Sequence, residues 1–531
     1  MSQRVGGMSS GMPLVVQVGF AGSRHLIDPE EHPEIRADEF NRAVEARLET
    51  ELRGLLAALG LGEGYFLCGI SQVAIGADTM FARVCARLGI LHRVFLPQHL
   101  EEYLSAVDSA GVPDFAERER MSVRALLESP NVIQQRVVSE SADRQTRFVD
   151  TNLEIARVSD IVVCLVRSDA SKIPGGTMDL MEQAGHRDIP LLEIRVGVGE
   201  GGKPEFSTTL RNKSAFKTPT VPDELLVPSA APAVTLDVAK GRHFMERLGA
   251  TMNRLSKTHQ GHFRSAALRI IGAHVLATVC AVVAVVYHPE WLVPLLSVEF
   301  ILLGWGLWCH WRLHYSRASG IWSMARLVAQ IIDSLMALTH VRAYPGYLFS
   351  LQMPESLRAL RRTLCVLHLQ ATRDVQPEDW RERMKKYLGV RVTDAPQGQI
   401  PYYTDKLALW RRRRTAATCL FYGFALVAMV ATGWKLYASC GGGHHDLSLA
   451  ALAAILCPVI AVAAMSLAAS FDLDALVHTY SESLKYLDRK QKQLSKATSE
   501  REFVAGALEL ESQLLGETAN WYSRRAFTGV S

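Results

Sequence analysis

The stretch Ser159–Glu182, SDIVVCLVRSDASKIPGGTMDLME, decides the fold of the N-terminal part of the chain. It begins with six apolar residues, 161–166, in which polar and apolar side chains do not alternate. Such a run is typical of a strand that is buried on both faces, as in a parallel sheet. A loop, the turn Gly175-Gly176-Thr177 and a helical pattern follow. Small residues at a helix start let an anion approach free backbone N–H groups, so this turn predicts a phosphate-binding site.

The alternation of strand and helix extends over residues 13–200. Apolar runs at 14–20, 65–69, 92–97, 132–138 and 190–196 predict further strands, and helical stripes separate several of them. This order predicts a Rossmann-like, doubly wound parallel sheet. In such sheets ligands bind beyond the carboxyl ends of the strands, where the strand order reverses.

The segments that flank this domain lack a sustained hydrophobic period. Residues 1–12 predict a disordered N-terminus without the apolar core of a signal peptide, which indicates a cytosolic N-terminal domain. Residues 201–240 are rich in Gly, Pro, Ser and Thr and predict a linker.

Overall composition excludes several classes of function. The net charge of the 531 residues is +4, which is too small to indicate nucleic acid as a partner. The nine cysteines occur singly, with no CxxC pair, so we expect no metal site, no disulfide framework and a reducing compartment.

The C-terminal part predicts an all-α membrane domain. It contains four apolar runs, each of about twenty residues, which is the length of a transmembrane helix; they cover 270–287, 291–311, 415–436 and 447–471. Short links join them in pairs, so we predict two hairpins: one in a domain 241–400, the other in a domain 401–531, each followed by long cytoplasmic helices. Buried helices of a large soluble core are the alternative.

Basic residues predict how the hairpins are oriented. Lys and Arg residues precede the first and third runs and follow the second and fourth, whereas the two hairpin tips carry none except Lys435 near one of them. The flanking residues are Arg264, Arg269, Arg312, Arg317, Arg411–Arg414, Lys485, Arg489 and Lys490. By the positive-inside rule, both termini and residues 312–414 are cytoplasmic. We therefore expect a multi-pass protein of the inner, cytoplasmic membrane.

The membrane half also has the pattern of a duplication. A long amphipathic helix follows each hairpin, at about 318–338 and 473–494. Their apolar stripes require partners, which are provided either by self-association into a homo-oligomer or by packing within one chain.

Several motifs of the first domain resemble those of the SLOG superfamily, Rossmann-like domains related to DNA-processing proteins and to LOG-type nucleotide hydrolases. The motifs are Val18–Arg24, Gly76-Ala77-Asp78, Phe148-Val149-Asp150 with Ser159-Asp160-Ile161, and Gly175-Gly176-Thr177 with Glu182. The layout of the membrane half resembles tandem SLATT modules. Fusions of the two are similar to predicted effectors of prokaryotic conflict systems, in which a nucleotide signal opens a pore.

The resemblance implies a set of ligand-binding residues, to which the residues themselves add Arg144 and Arg147 on the helix after the fourth strand. The full set is Gly22, Ser23, Arg24, Gly76, Ala77, Asp78, Arg144, Arg147, Gly175, Gly176, Thr177 and Glu182. Arg24 is interpreted as a phosphate clamp or a surface residue, and Asp78 as a ribose ligand or a helix-dipole partner.

Catalysis is not expected from this site. Glu182 falls where LOG-type hydrolases keep their carboxylate, but Met178 and Asp179 depart from the hydrolase pattern. Glu182 is therefore a catalytic candidate only if the protein is a hydrolase.

Two polar residues within the apolar runs are candidates for a pore. Glu299 and His274 are costly in lipid, so we expect each to face a bundle interior, a partner or water, where it either lines a pore or makes a structural hydrogen bond.

The resemblance, together with the four apolar runs, implies a nucleotide-signal-gated membrane effector of an antiphage, abortive-infection system. The expected activator is a cyclic oligonucleotide or an ADP-ribose or NAD derivative made by a separate enzyme, and no cofactor is expected. A membrane-tethered nucleotide or NAD glycosidase is one alternative, and a nucleic-acid-binding scaffold is another.

Overall fold

Seven strands form one sheet in the first of two compact units, Met1–Phe244 with Pro354–Asp374. The computed structural model describes residues 13–27, 31–33, 35–107, 113–222, 225, 241–287, 291–375, 378–394, 398–440 and 448–528. The predicted disordered N-terminus, 1–12, the first hairpin link, 288–290, and residues 441–447 at the second link lie outside these residues. The strands are β1 Leu14–Gly22, β2 Tyr65–Ser71, β3 Leu91–Leu96, β4 Val132–Val137, β5 Ile161–Arg167, β6 Leu191–Val198 and β7 Pro204–Arg211.

The strand order is β4-β3-β2-β1-β5-β6-β7, with β1 to β6 parallel and β7 antiparallel to β6. The helices between strands are α1 Ala37–Ala58, α2 Ala77–Leu88, α3 Leu100–Leu104, α4 Glu117–Glu128, α5 Arg144–Val158 and α6 Thr177–His186. The predicted doubly wound α/β sheet is therefore confirmed.

Strand β5 is buried on both faces, as its sequence predicts. Val163 and Leu165 pack into the core beneath α1 and α2, whereas Val162 and Cys164 pack into the core beneath α5 and α6. All four side chains are fully buried, because an apolar run without alternation has no side to present to solvent.

The predicted linker differs from the structure over its first part. Residues Pro204–Arg211 form the edge strand β7, paired with β6 along its whole length. Exposed and half-buried residues alternate along β7, as expected for an edge strand with one solvated face. Of residues 223–240, the structure describes only Leu225.

The remaining helices are α7 Gly241–Tyr287, α8 Leu292–Tyr315, α9 Ala318–Val341, α10 Tyr347–Ser350, α11 Arg358–Arg373, α12 Trp380–Tyr387, α13 Gln399–Cys440, α14 Ser448–Ser470, α15 Leu473–Leu494 and α16 Glu500–Thr528. Except for α11 and the first residues of α7, they form the second unit, Met245–Met353 with Val375–Ser531. Stretches long and apolar enough to span a membrane lie in α7, α8, α13 and α14. On α8, large apolar side chains such as Phe300 and Leu307 are exposed, as on a lipid-facing helix.

The duplication predicted from the sequence is visible in the helix lengths. Helices α7, α8 and α9 have 47, 24 and 24 residues, and α13, α14 and α15 have 42, 23 and 22. Two residues separate the second helix from the third in each half, and the second of the two is left-handed: Arg317 with φ 47° and Asp472 with φ 51°. Such a φ is uncommon outside glycine, so the same break at equivalent positions marks a repeated structure.

Packing within the second unit covers the amphipathic stripes. Leu338 and Val341 of α9 share one core with Tyr387 of α12, Leu487 of α15 and Phe503 of α16. Within this unit Arg391 makes a two-pronged ion pair with the fully buried Glu511, at 2.8 Å for both contacts. Packing within the unit therefore covers part of these stripes, and self-association into a homo-oligomer stays a prediction.

Helix α11 belongs to the sheet unit, although the sequence analysis assigned residues 241–400 to one membrane domain. The Thr363 hydroxyl accepts a hydrogen bond from the backbone N–H of Val15 at the start of β1, at 2.9 Å. Arg362 pairs with Asp160, immediately before β5. Arg373 donates to the backbone carbonyl groups of Glu128, Ser129 and Val132, where α4 ends and β4 begins.

These contacts fix α11 across the N-terminal ends of the sheet, from β1 to β4. The helix has buried leucines at 360, 364, 367 and 369. Its interface is therefore that of a core helix of this unit. The sequence pattern could not assign it, because its partner strands lie more than 200 positions away along the chain.

We predict that the sheet cannot be separated from α11 without loss of stability. A fragment of residues 1–244 should unfold at a lower temperature than the same fragment carrying 354–374 on a flexible linker. Burial of several leucines and the Arg373 contacts should contribute at least about 3 kcal/mol. Thermal unfolding and binding of a hydrophobic dye measure the difference; equal melting temperatures would contradict this assignment of α11.

Candidate functional site

The order of the strands reverses between β1 and β5, and the predicted ligand motifs lie at this edge. The β1–β5 ladder continues beyond β1: the Ser23 N–H donates to Leu165 O at 2.9 Å, and Arg167 N–H donates to the Ser23 hydroxyl at 3.1 Å. Ser23 thus holds the two strands together at the switch point. Ligands of doubly wound sheets bind in the crevice outside these strand ends.

Two glycines bring the first two motifs into contact. A Cβ on Gly76, whose φ is +82°, would lie 2.0 Å from Arg24 O, and one on Gly22 would lie 2.2 Å from the Ala77 Cβ. The Ala77 N–H donates to Ser23 O at 3.2 Å. The loop after β1 and the start of α2 therefore form one continuous backbone surface, which only residues without a side chain permit at these two positions.

Asp78 lies in this surface as a buried carboxyl group. It is 5% exposed, and its Oδ1 atom has no hydrogen-bond partner among the described residues. Burial raises the pKa of Asp78 well above its usual value, while the positive charge of Arg24 opposes the shift. A buried polar atom without a partner is uncommon in folded proteins, so Oδ1 is suited to accept a hydrogen bond from a ligand.

Tyr103 on α3 is a second buried group of this kind. Its hydroxyl is buried without a hydrogen-bond partner among the described residues. Burial raises the pKa of Tyr103, and the negative charge of Asp78 raises it further. Its hydroxyl is therefore a protonated, buried donor on α3.

Arg24 and Arg144 converge on Asp114, which is 5% exposed in its side chain. Arg24 Nη1 lies 3.4 Å from Asp114 Oδ1, and Arg144 pairs with the other oxygen and donates to Val107 O at 2.5 Å. Both arginines remain about 40% exposed. One carboxylate thus orients two guanidinium groups, which leaves an excess positive charge for an anion.

Arg147 is engaged elsewhere. Its guanidinium donates to Ser141 O at 2.5 Å and to the Gln98 side chain. Arg147 therefore braces the loops after β3 and β4 and does not join the Arg24–Arg144 pair.

The turn 175–177 rests on the start of α5. A Cβ on Gly175, whose φ is +75°, would lie 2.5 Å from the Phe148 Cβ. Asn152 of α5, fully buried, donates to Gly176 O at 3.0 Å and to Asp179 Oδ2 at 3.1 Å, and accepts from Gln72 at 2.9 Å. This chain of hydrogen bonds connects the turn to the exit of β2. Asp179, a departure from the hydrolase pattern, thus has a structural role in holding the turn.

Glu182 occupies a different environment from Asp78. Its side chain is 40% exposed and forms an ion pair with Lys172 at 2.6 Å. The hydrogen bond and the charge of Lys172 lower the pKa of Glu182. This carboxylate is therefore ionised and already paired on the surface.

Sequence reasoning gave no role to Tyr103, Asp114, Gln72 or Asn152. Tyr103 and Asp114 lie between β3 and β4, in a stretch without a motif. Gln72 and Asn152 are polar residues whose burial depends on contacts that are distant in sequence. No local pattern identifies such residues.

The two pore candidates lie in the second unit. Helix α8 meets α7 at Gly306, where a Cβ would lie 3.4 Å from the Ala273 Cβ and 3.6 Å from His274 Nε2. Glu299 is half-buried, and no hydrogen bond or ion pair reaches its side chain in the part of the chain that the structure describes. Their role in a pore stays a prediction.

The described residues contain no group of three or more His, Cys, Asp or Glu side chains that could hold a metal ion. No protein-family model matches the chain, and the comparisons with curated proteins and with solved structures gave no match. The proposed function of this chain therefore rests on the geometry of the site.

We predict that Gly175 is required for the shape of the turn. Gly175→Ala combines a left-handed backbone with a Cβ clash and should lower stability by more than Gly89→Ala, which has φ +66° and open space around its Cβ. The control should lose about 1–2 kcal/mol from backbone strain alone. Thermal unfolding of the two full-length variants checks this; equal losses would show that the turn does not rest on α5.

Proposed function

We propose that this chain is a nucleotide-signal-gated membrane effector. Its supporting features are a Rossmann-like edge with paired arginines and a buried carboxyl group, and four helices of membrane-spanning length. The guanidinium groups of Arg24 and Arg144 would bind phosphate oxygens, and the Asp78 carboxyl group would accept a hydrogen bond from a ribose hydroxyl. The ligand class that fits is a nucleotide derivative, either a cyclic oligonucleotide or an ADP-ribose or NAD derivative.

The observation that carries the proposal is the placement of α11. In sequence, this helix lies between the two segments of the second unit, yet it packs as part of the sheet unit. It holds the strands that flank the switch point: Thr363 binds the first residues of β1, and Arg362 binds Asp160 just before β5. A ligand that changes how β1 and β5 lie together would therefore act on α11.

The segments on both sides of α11 are attached to α9 within the second unit. Before it, the Tyr347 hydroxyl on α10 contacts the Ser334 hydroxyl on α9 at 2.5 Å. After it, Arg383 on α12 donates to Val341 O, the last residue of α9, at 3.1 Å. Helix α9 follows the apolar helix α8 directly, after the left-handed break at Arg317. The chain thus offers a route from the sheet through α11 to the first hairpin.

In the proposed setting, the protein lies in the inner membrane of a prokaryote with both termini in the cytoplasm. A separate enzyme makes the signal on phage infection, and signal binding opens or assembles a pore in a homo-oligomer. Ligand binding must favour one arrangement of α11 over another, because a ligand with equal affinity for both states shifts nothing.

A membrane-tethered glycosidase is the competing function and requires Glu182 as its catalytic carboxylate. The Lys172 ion pair argues against this role. Incubation of the full-length protein with NAD and nucleoside monophosphates tests it: turnover that Glu182→Gln abolishes would replace the sensor proposal. The second alternative, a nucleic-acid-binding scaffold, would be supported if the protein shifted the mobility of a nucleic acid in a gel in a salt-sensitive manner.

We predict that Arg362→Gln separates ligand binding from membrane leakage. The protein in dye-loaded liposomes should release dye with an active member of a panel of cyclic oligonucleotides, ADP-ribose and NAD. Arg362→Gln should keep ligand affinity within about threefold but reduce leakage at least about tenfold, because it loosens α11 from β5. Arg24→Gln should lose binding as well.

Arg358→Gln is the matched control, since Arg358 lies one turn before Arg362 and is half exposed in an ion pair with Glu355. Liposomes with this variant should release as much dye as liposomes with the unmodified protein. Unchanged leakage in Arg362→Gln, with ligand still bound, would refute the route through α11. Thr363→Val, which removes the acceptor for Val15 N–H, provides a second variant if Arg362→Gln folds poorly.

A further inference from the structure

Two arginines from different helices of the second unit flank one tryptophan ring. Arg264 of α7 has its Cζ atom 5.1 Å from the centre of the Trp410 ring, and Arg413 of α13 has its Cζ atom at 5.0 Å. Trp410 is 4% exposed, and its Nε1 atom is buried without a hydrogen-bond partner in the described part of the chain. Three donor groups thus lie together.

No carboxylate among the described residues neutralises the positive charge of this cluster. Among the described residues, no carboxylate lies within ion-pair distance of Arg264 or Arg413, whereas the adjacent Arg414 pairs with Asp474 at 2.6 Å. Stacking on an aromatic ring stabilises a guanidinium but leaves its N–H groups available. Two cations and one orphan donor indicate an anionic ligand.

The cluster lies where two of the apolar helices begin. Trp410 and Arg413 come five and two residues before the apolar run 415–436, and Arg264 comes six residues before the run 270–287. At 1.5 Å per residue, all three are within about 10 Å of the start of the apolar segments. This is the depth at which lipid phosphates lie and at which tryptophan is favoured.

We propose that Arg264, Arg413 and Trp410 form a binding site for the phosphate of an anionic phospholipid in the cytoplasmic leaflet. The guanidinium groups bind the phosphate oxygens, and Trp410 Nε1 donates to one of them. Basic pockets between transmembrane helices are known sites for such headgroups. Trp410 packs against Leu473 and Val477 of α15, so the bound lipid would brace α7, α13 and α15. This site rests on the proposed membrane insertion but not on nucleotide gating.

Native mass spectrometry of the full-length protein in detergent tests the site, with phosphatidylglycerol, phosphatidylcholine or inorganic phosphate added. Phosphatidylglycerol should be retained and should raise the melting temperature, whereas phosphatidylcholine and millimolar phosphate should do neither. Arg264→Gln with Arg413→Gln should weaken retention at least about tenfold, as expected for lost charge-assisted hydrogen bonds.

Arg411→Gln with Arg412→Gln is the matched control, because it also removes two positive charges, from exposed residues that directly precede Arg413 on α13. It should retain phosphatidylglycerol within about twofold. Equal loss in both double variants, or equal stabilisation by inorganic phosphate, would overturn the proposal. Trp410→Phe, which keeps the ring and removes the donor, should weaken retention about threefold or more; unchanged retention would remove Trp410 from the site. If the apolar helices do not form a membrane domain, neither the unmodified protein nor any variant, the control included, should retain phosphatidylglycerol.

Discussion

Asp160 joins the two parts of the sheet unit that are most distant in sequence. One carboxylate oxygen accepts the Gln17 N–H of β1 at 2.9 Å, and the other pairs with Arg362 of α11. Both side chains of the ion pair are largely buried, at 17% and 12% exposure. Removing one partner of such a pair leaves an uncompensated charge, which is strongly destabilising. The placement of α11, and with it the proposed route to the hairpins, depends on this contact.

The sequence predicted those features that are encoded locally. The unalternating run 161–166 identified a central strand, because burial on both faces leaves no polar position. Gly76 and Gly175 marked turns that the structure confirms as close backbone approaches at positive φ. The four apolar runs identified the helices of membrane-spanning length, because a helix of about twenty apolar residues matches the thickness of the hydrocarbon core.

The sequence did not predict features that depend on distant contacts. Helix α11 has the pattern of an ordinary amphipathic helix, and nothing in it indicates that its partners are Val15 and Asp160. Asp114 acquires its role only when Arg24 and Arg144 meet at one carboxylate. Strand β7 lies in a segment rich in turn-forming residues, so the sequence pattern did not reveal it. It forms at the edge of the sheet, where a strand needs only one neighbouring strand, and β6 is this neighbour.

Hydrogen exchange of the full-length protein in lipid nanodiscs, with and without the activating nucleotide of the leakage panel, tests the central claim most directly. The proposed route predicts that amides of residues 22–24, 76–78 and 175–177 become protected and that exchange in α11 changes at the same time. Protection of the three loops with unchanged exchange throughout 354–374 would contradict it, because the ligand would then bind the sheet without acting on the helix that leads to the hairpins.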